Sequence, residues 1–282
     1  MPEPKSIVFS ILIPTWNNLP FLKLCVRSIQ QHSCFPHQII LHINDGSDGT
    51  LTWAQQQQLP FTYTNENVGV CTALNAAAQL VSTDYVVYMN DDMYVLPGWD
   101  QALMRDIAQA PDIFFLSSTM IEPKPTGNDC VIVANYGTHP DDFREAELLQ
   151  QLSLLNHTDW CGSTWPPNVV PKKLWDAVGG YSEIFSPGMS SDDDFSMKLW
   201  QEGCRYFKGV GDSLVYHFMT KSTGRIIKND GRRQFFQKWG IKQSTFHRYY
   251  LRRGLVWNGA LQAPNRDLGF WFNRFTGWLR YR

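Results

Sequence analysis

The chain has 282 residues, of which 43% are hydrophobic, 14% aromatic and 18% charged. That composition excludes disordered, collagen-like and coiled-coil classes and is enough for a large core. A formal net charge of −1 excludes a generally basic nucleic-acid binder. The charge is unevenly spread, however: residues 226–282 hold 12 Lys and Arg against 2 Asp and Glu, leaving 13 and 24 in 1–225. An acidic body predicts cation binding, and a basic tail predicts either an anionic partner or electrostatic packing on its own body.

In chain order, Ser6 to Pro14 reads as a buried parallel strand, because its apolar run is nearly continuous. Leu19 to Gln31 follows as a helix, Gln38 to Asn44 as a strand, Leu51 to Gln58 as a short helix and Phe61 to Thr64 as a third strand. An Ala-rich helix opens at Asn67-Val68-Gly69, a strand runs from Tyr85 to Met89, Pro97 starts the next helix, and Ile113 to Leu116 is a fifth strand. This alternation predicts a doubly wound α/β sheet over about the first 120 residues. Beyond it, Val131 to Asn135 reads as a strand, Asp142 to Leu155 as a helix and Trp160 to Pro167 as a loop or short strand. Pro171 to Val178 is a helix ended by Gly179-Gly180, Asp192 to Glu202 a helix with an acidic first turn, and Leu214 to Phe218 a strand before the polar run Thr220 to Thr223. The tail carries helices near 231–240 and 243–253. In a last one, Leu268, Trp271, Phe272, Phe275, Trp278 and Leu279 share one face.

Six scattered cysteines without CxxC spacing argue against a zinc site and for a reducing compartment. Cys25, Cys71 and Cys204 read as small core residues. Met1 to Lys5 has no apolar run of a secretory signal and no stretch is long enough to span a bilayer, so a cytoplasmic location is expected.

Polar clusters fall at the expected carboxyl ends of the strands: Pro14-Thr15-Trp16-Asn17-Asn18, Asn44 to Asp48, Asn65 to Gly69, and Asn90-Asp91-Asp92. Ligands bind at that edge of an open α/β sheet. Four clusters in register outweigh the ordinary abundance of Asn, Asp and Gly in turns. Carboxylates at Asn90-Asp91-Asp92 suit Mg²⁺ or Mn²⁺, hard cations that bridge phosphate oxygens. Asp192-Asp193-Asp194 offers a helix cap, a dipole partner and a general base. His217, at the end of an apolar strand, can complete a metal site begun by Asp92.

Thr15-Trp16-Asn17, Asp45-Gly46-Ser47-Asp48, Asn67-x-Gly69, Asn90-Asp91-Asp92, Gly179-Gly180-Tyr181-Ser182-Glu183, Asp192-Asp193-Asp194-Phe195 and His217 together resemble the family 2 glycosyltransferases. The resemblance covers about residues 6–223. It implies the GT-A fold, a doubly wound, Rossmann-like mixed sheet, as a catalytic domain over 1–225 with a basic, aromatic helical extension over 226–282. By position it implies that Pro14, Thr15, Asn17, Asp45, Ser47, Asn67, Gly69, Asn90 and Asp91 meet the nucleotide, Asp45 at the base. Asp92 and His217 would hold Mn²⁺ or Mg²⁺. Asp192 aligns with the catalytic base; the run of three aspartates leaves Asp193 open as well. The implied reaction is inverting transfer from a nucleotide-diphospho-sugar, with UDP as the expected nucleotide, to a glycan or lipid-linked glycan. Trp160, Trp165 and Tyr181 could form an acceptor platform or pack in the core. Residues 265–282 could lie on a membrane surface, at its inner face, or dock on the body. A sugar nucleotidyltransferase is the rival enzyme, though Pro14 to Asn18 lacks its Gly-rich basic loop. A catalytically silent sugar-nucleotide or glycan-binding module is the non-enzymatic rival, and no nucleic-acid partner is expected.

Overall fold

A computed structural model describes residues 7–220 and 226–281. Ser6, Lys221, Ser222, Thr223, residue 225 at the expected domain division, and Arg282 lie outside them. The strands are β1 (Phe9–Trp16), β2 (Gln38–Asn44), β3 (Phe61–Thr64), β4 (Tyr85–Tyr88), β5 (Met93–Val95), β6 (Phe114–Glu122), β7 (Val131–Val133), β8 (Trp160–Cys161), β9 (Asn168–Pro171) and β10 (Tyr206–His217). The helices are α1 (Leu19–His32), α2 (Thr50–Gln56), α3 (Gly69–Ala78), α4 (Trp99–Ile107), α5 (Glu145–Gln150), α6 (Lys172–Val178), α7 (Ser191–Gln201), α8 (Gly231–Trp239), α9 (Gln243–Thr245) and α10 (Leu268–Tyr281). A π-helical turn, Phe246–Leu251, continues α9.

The strands form one mixed sheet in the order β3-β2-β1-β4-β9-β6-β10-β5, with β7 beside β6 and β8 beside β10. β3, β2, β1 and β4 are mutually parallel, so the four polar clusters do share one edge. β9 runs antiparallel between β4 and β6, and β5 runs antiparallel to β10. Period-2 alternation divides the core between two faces. On β1, Phe9, Ile11 and Ile13 join Leu22, Val26, Trp99 and Leu103 on one side, while Leu12 joins Leu74, Trp175 and Phe195 on the other. Both faces of β1, β2 and β4 are covered, which is why these three carry mainly apolar runs; each buried aliphatic or Phe side chain contributes about 1.5–3 kcal/mol.

Several elements differ from the sequence expectation. The fifth strand is nine residues long because its polar centre is paired: Ser117 meets Ser163 (2.6 Å), Ser118 meets Ser213 (2.7 Å), and Thr119 donates to the Val210 carbonyl (2.9 Å). The strand expected at Leu214 starts instead at Tyr206 and shifts register between Val210 and Leu214. The helix expected over 142–155 is limited to α5 and flanking single turns. Cys25, Cys71 and Cys204 are all buried, although Cys204 follows α7 rather than lying in a helix.

The tail is built into the core. Phe235, Phe246, Leu251 and Phe270 belong to the same cluster as Trp175, Phe195, Trp200 and Phe207. Its backbone also extends the sheet: Cys161 N donates to Leu255 O (2.8 Å) and Gly254 N to Cys161 O (3.1 Å). α10 docks through Phe270 and Gly277, leaving Leu268, Phe272, Phe275 and Leu279 exposed and Trp271 and Trp278 roughly half-exposed. The apolar stripe thus points outward. No helix among the described residues is long and apolar enough to cross a membrane.

Candidate active site

The loops at the common edge are tied to one another. Thr15 Oγ1 and Asn18 Nδ2 donate to the two carboxylate oxygens of Asp91, at 2.7 and 3.0 Å. Asn44 donates to the Thr15 carbonyl (3.2 Å) and accepts from Val68 N–H (2.9 Å), joining the ends of β1 and β2 to the start of α3. Asn67 Oδ1 accepts from Gly69 N–H at 2.9 Å. Gly69 has φ +79°, and a Cβ there would lie 2.7 Å from Pro187 Cα, so only glycine lets the 186–190 loop close over this point.

A cleft of about 570 Å³ opens on Pro14, Thr15, Asn67, Gly69, Asp91 and Asp92. A second, of about 530 Å³, opens on Glu122, Asn128, Asp129, Trp165 and Arg253. Tyr88, Asn90, Asp192 and His217 line both. Asn17, Asp45 and Ser47 stand outside the cleft wall as a cluster of their own. Asn17 Nδ2 donates to Asp45 Oδ2 (2.7 Å) and Ser47 Oγ (3.1 Å), and the hydrogen bonds that Asn17 and Ser47 each give to the Asp45 carboxyl hold it below the usual range. Asn17 and Asp45 both adopt positive φ, a conformation their side chains tolerate.

Asp92 is buried, and its Oδ2 accepts from Thr220 N–H (2.8 Å) and Oγ1 (2.9 Å). His217 Nε2 lies 3.6 Å from that oxygen, and His217 Nδ1 lies 3.1 Å from Glu122 Oε1. Burial disfavours the imidazolium, but Asp92 and Glu122 together raise the His217 pKa. With Nδ1–H given to Glu122, Nε2 is the nitrogen that faces Asp92, the arrangement of a carboxylate-oriented metal ligand. Among the described residues no group of three or more His, Cys, Asp or Glu side chains converges to hold a metal. Asp92 and His217 are a pair.

The three consecutive aspartates face three ways. Asp192 turns into the clefts, where Oδ1 accepts from Tyr181 OH at 3.2 Å. Burial, reinforced by the adjacent Asp193 charge, pushes its carboxyl up to about 7 against the opposing Tyr181 hydrogen bond. Asp193 faces the tail instead, with its two oxygens bonded to Gln243 Nε2 and His247 Nε2. Of the two aspartates that the sequence leaves open as the base, Asp192 lines the clefts and Asp193 does not. Asp194, fully buried, accepts from Trp239 Nε1 (2.8 Å) and pairs with Lys238 (2.8 Å).

Tyr181 is set by a tight turn. Asn75 bonds both its N–H and its carbonyl at 2.8 Å, and a Cβ on Gly180 would lie 2.4 Å from Asn75 Oδ1. The Tyr181 ring stacks on Phe195 at 4.5 Å and is buried. Trp160 is buried too, its Nε1 donating to Thr119 Oγ1 at 2.9 Å. These two therefore are core rather than an open acceptor platform; Trp165 alone of the three lines a cleft. Glu122, Thr220 and Arg253 were not apparent from sequence. Glu122 ends a strand whose serines disguise it; Arg253 reaches the cleft only because residues 254–256 pair with β8. Its guanidinium stacks over Trp165, 4.1 Å from the ring centroid.

Residues 10–151 match Glycosyl transferase family 2. Among curated proteins, the chain is 22% identical over 247 residues to a chondroitin synthase of Pasteurella multocida, covering 77% of this chain and 25% of that protein. It is 23% identical over 228 residues to the O-antigen biosynthesis protein RfbC of Myxococcus xanthus, covering 74% and 17%. The chain thus spans a quarter or less of the length of these relatives. Among solved structures it resembles S. aureus TarS in complex with UDP-GlcNAc, with a TM-score of 0.54, 15% identity, and coverage of 74% of this chain and 58% of that one. The TarS complex with UDP gives the same TM-score and identity and covers 60% of that chain. The mixed sheet has the GT-A architecture of these structures, and the chain belongs to glycosyl transferase family 2.

Proposed function

We propose that the protein transfers a sugar, with inversion, from a nucleotide-diphospho-sugar to an acceptor hydroxyl, with Asp192 as the general base. The unit responsible is 1–225, extended by 226–282. The observation that carries the reading is the position of Asp192 on the wall shared by two clefts, with its carboxyl poised at about 7. A base of that strength is half-ionised near neutrality, where general base catalysis works best. The 570 Å³ cleft takes the donor: Asn67, Gly69, Asn90 and Asp91 face the nucleotide and the sugar beside it, and Asp45, held ionised by Asn17 and Ser47, receives the base at the rim. UDP is the nucleotide we favour, supported by the fold shared with a protein solved with UDP and UDP-GlcNAc.

Asp92 and His217, which face each other across 3.6 Å in the cleft, are the residues that would hold a divalent cation, Mn²⁺ or Mg²⁺. When bound, such an ion would supply charge stabilisation for the departing nucleoside diphosphate. The chain's own residues do the rest. Tyr181 orients the Asp192 carboxylate, Asp192 removes the acceptor hydroxyl proton, and the freed oxygen attacks the anomeric carbon opposite the departing phosphate, so configuration inverts. Trp165 and Arg253 border the acceptor side, for a glycan or lipid-linked glycan. α10 adds a contact with the cytoplasmic face of an anionic membrane: its outward Trp, Phe and Leu side chains are accompanied by Arg266, Arg274 and Arg280 on a strongly basic segment.

Calorimetry with UDP tests the donor half. Binding with Mn²⁺ that is lost with EDTA and in Asp92→Ala supports the cleft; absence of UDP binding in both conditions rejects the UDP donor. Asp192→Asn tests the chemistry. It should leave UDP binding intact and reduce transfer by about 10²–10⁴-fold. Unchanged transfer would remove Asp192 as the base.

A further inference from the structure

A third cavity, of about 370 Å³, lies beyond the acceptor cleft on the tail side. Arg232 of α8, Lys242, His247, Arg253 and Arg280 of α10 line it, and among the described residues no Asp or Glu does. Among the described residues Arg232, Lys242, Arg253 and Arg280 make no ion pair. The nearby carboxylate is Asp193, already bonded to His247 and Gln243. Like charges brought together from three segments repel one another unless an anion joins them.

The cavity is also placed with respect to the chemistry. Arg253 lines both it and the acceptor cleft that contains Asp192. Its position is fixed by the pairing of residues 254–256 with β8 and by Gly162, where a Cβ would lie 2.8 Å from Arg253 Cα. Arg253 Nη1 lies 3.0 Å from His247 Nε2, and Lys242 is oriented by donating to Thr276 Oγ1 at 2.9 Å. Guanidinium forks match phosphate oxygens in pairs, and four cations exceed what a single carboxylate needs. The donor diphosphate belongs to the cleft on the opposite side of Asp192, so this is a separate anion site.

We propose that the basic cavity formed by Arg232, Lys242, Arg253 and Arg280 binds a phosphate or diphosphate group of the acceptor, so that the accepting hydroxyl lies toward Asp192. The proposal rests on the reading that the 530 Å³ cleft takes the acceptor. Calorimetry on the full chain with inorganic pyrophosphate tests it without turnover. A variant carrying Arg232→Gln, Lys242→Gln and Arg280→Gln should bind pyrophosphate about tenfold or more weakly, because charge-assisted hydrogen bonds are removed. Asp92→Ala, in the donor cleft, should leave that component of binding in place. The triple variant should bind UDP as wild type does. A loss of UDP binding in wild type would therefore refute the donor reading and not this one. Pyrophosphate binding unchanged in the triple variant overturns the proposal, as does binding abolished by Asp92→Ala alone. Two further probes separate the sources of phosphate. Weakened binding to phosphatidylglycerol vesicles in Arg232→Gln with Lys242→Gln, which leaves Arg280 of α10 in place, assigns the site to a lipid headgroup; weakened binding of glucose 1-phosphate alone assigns it to a soluble phosphosugar.

Discussion

Replacing Tyr181 by Phe isolates one hydrogen bond at the proposed base. The ring stays, so its stacking on Phe195 at 4.5 Å is kept, while the hydroxyl that donates to Asp192 at 3.2 Å is lost. A hydrogen bond to a charged group contributes about 1.5–3 kcal/mol, and the length of this one argues for the low end. At about 1.4 kcal/mol per unit, the Asp192 carboxyl should rise by about one unit, from about 7 to about 8. The base acts in its ionised form, so activity rises with pH through its pKa. In Tyr181→Phe the rising limb should therefore move to higher pH, with transfer about fivefold lower at pH 7 and recovering at higher pH. Asp193→Asn should move the limb the other way, since it removes the like charge that helps to raise Asp192. The assay is the pH profile of kcat/KM for sugar-nucleotide transfer. A uniform loss with unmoved limbs in both variants would refute the assignment of Asp192 and the electrostatic account of its pKa.

Gly180→Ala meets Asn75 Oδ1 at 2.4 Å and has φ +62°; thermal unfolding should show a loss of at least about 1–2 kcal/mol, the cost of the left-handed conformation alone. Asp194→Ala leaves Trp239 Nε1 and Lys238 without their shared acceptor. Because Lys238 is partly exposed, the loss should fall below the roughly 3–5 kcal/mol of a fully buried pair, with faster proteolysis of the tail as the second readout. Phe272→Asp with Phe275→Asp should abolish cosedimentation with anionic vesicles yet change stability by about 0.5 kcal/mol or less, because both side chains are exposed. Retained vesicle binding would remove the membrane contact of α10.

Much of the fold and half of the site could be read from the residues. β1, β2 and β4 are buried on both faces and so carry apolar runs that no helix of that length would need. Their polar ends stand together because the strands are parallel and adjacent. What could not be read was set by pairing between distant segments. β9 enters the middle of the sheet as a four-residue strand following two prolines, and only the hydrogen bonds of β4 and β6 on either side identify it as a strand. Glu122 was hidden because Ser117, Ser118 and Thr119 look like a strand end, and only their partners on β10 and in the 163–165 loop make them core residues.

The aspartate run shows how the same limit applies to charge. Three adjacent carboxylates at a helix start cannot be ranked by sequence, since each could cap, meet the dipole or act as a base. Helical geometry separates them by about 100° each, and the surroundings then decide. Asp192 falls on the clefts, Asp193 on His247 and Gln243, and Asp194 on Lys238 and Trp239. Two members of the run therefore hold the basic tail against the acidic body, which accounts for part of the charge asymmetry. They also place the tail's remaining cations. With Asp193 fixing His247 and Asp194 fixing α8, Arg232 and Arg253 are brought together at the basic cavity, and Arg253 also lines the acceptor cleft, which Asp192 alone of the run faces. On this argument the run is a single device. Its first member faces the reaction, and the other two fix the segment that would bind the acceptor's anionic group. A change at Asp194 should therefore weaken pyrophosphate binding without altering the pH limb that Asp192 sets.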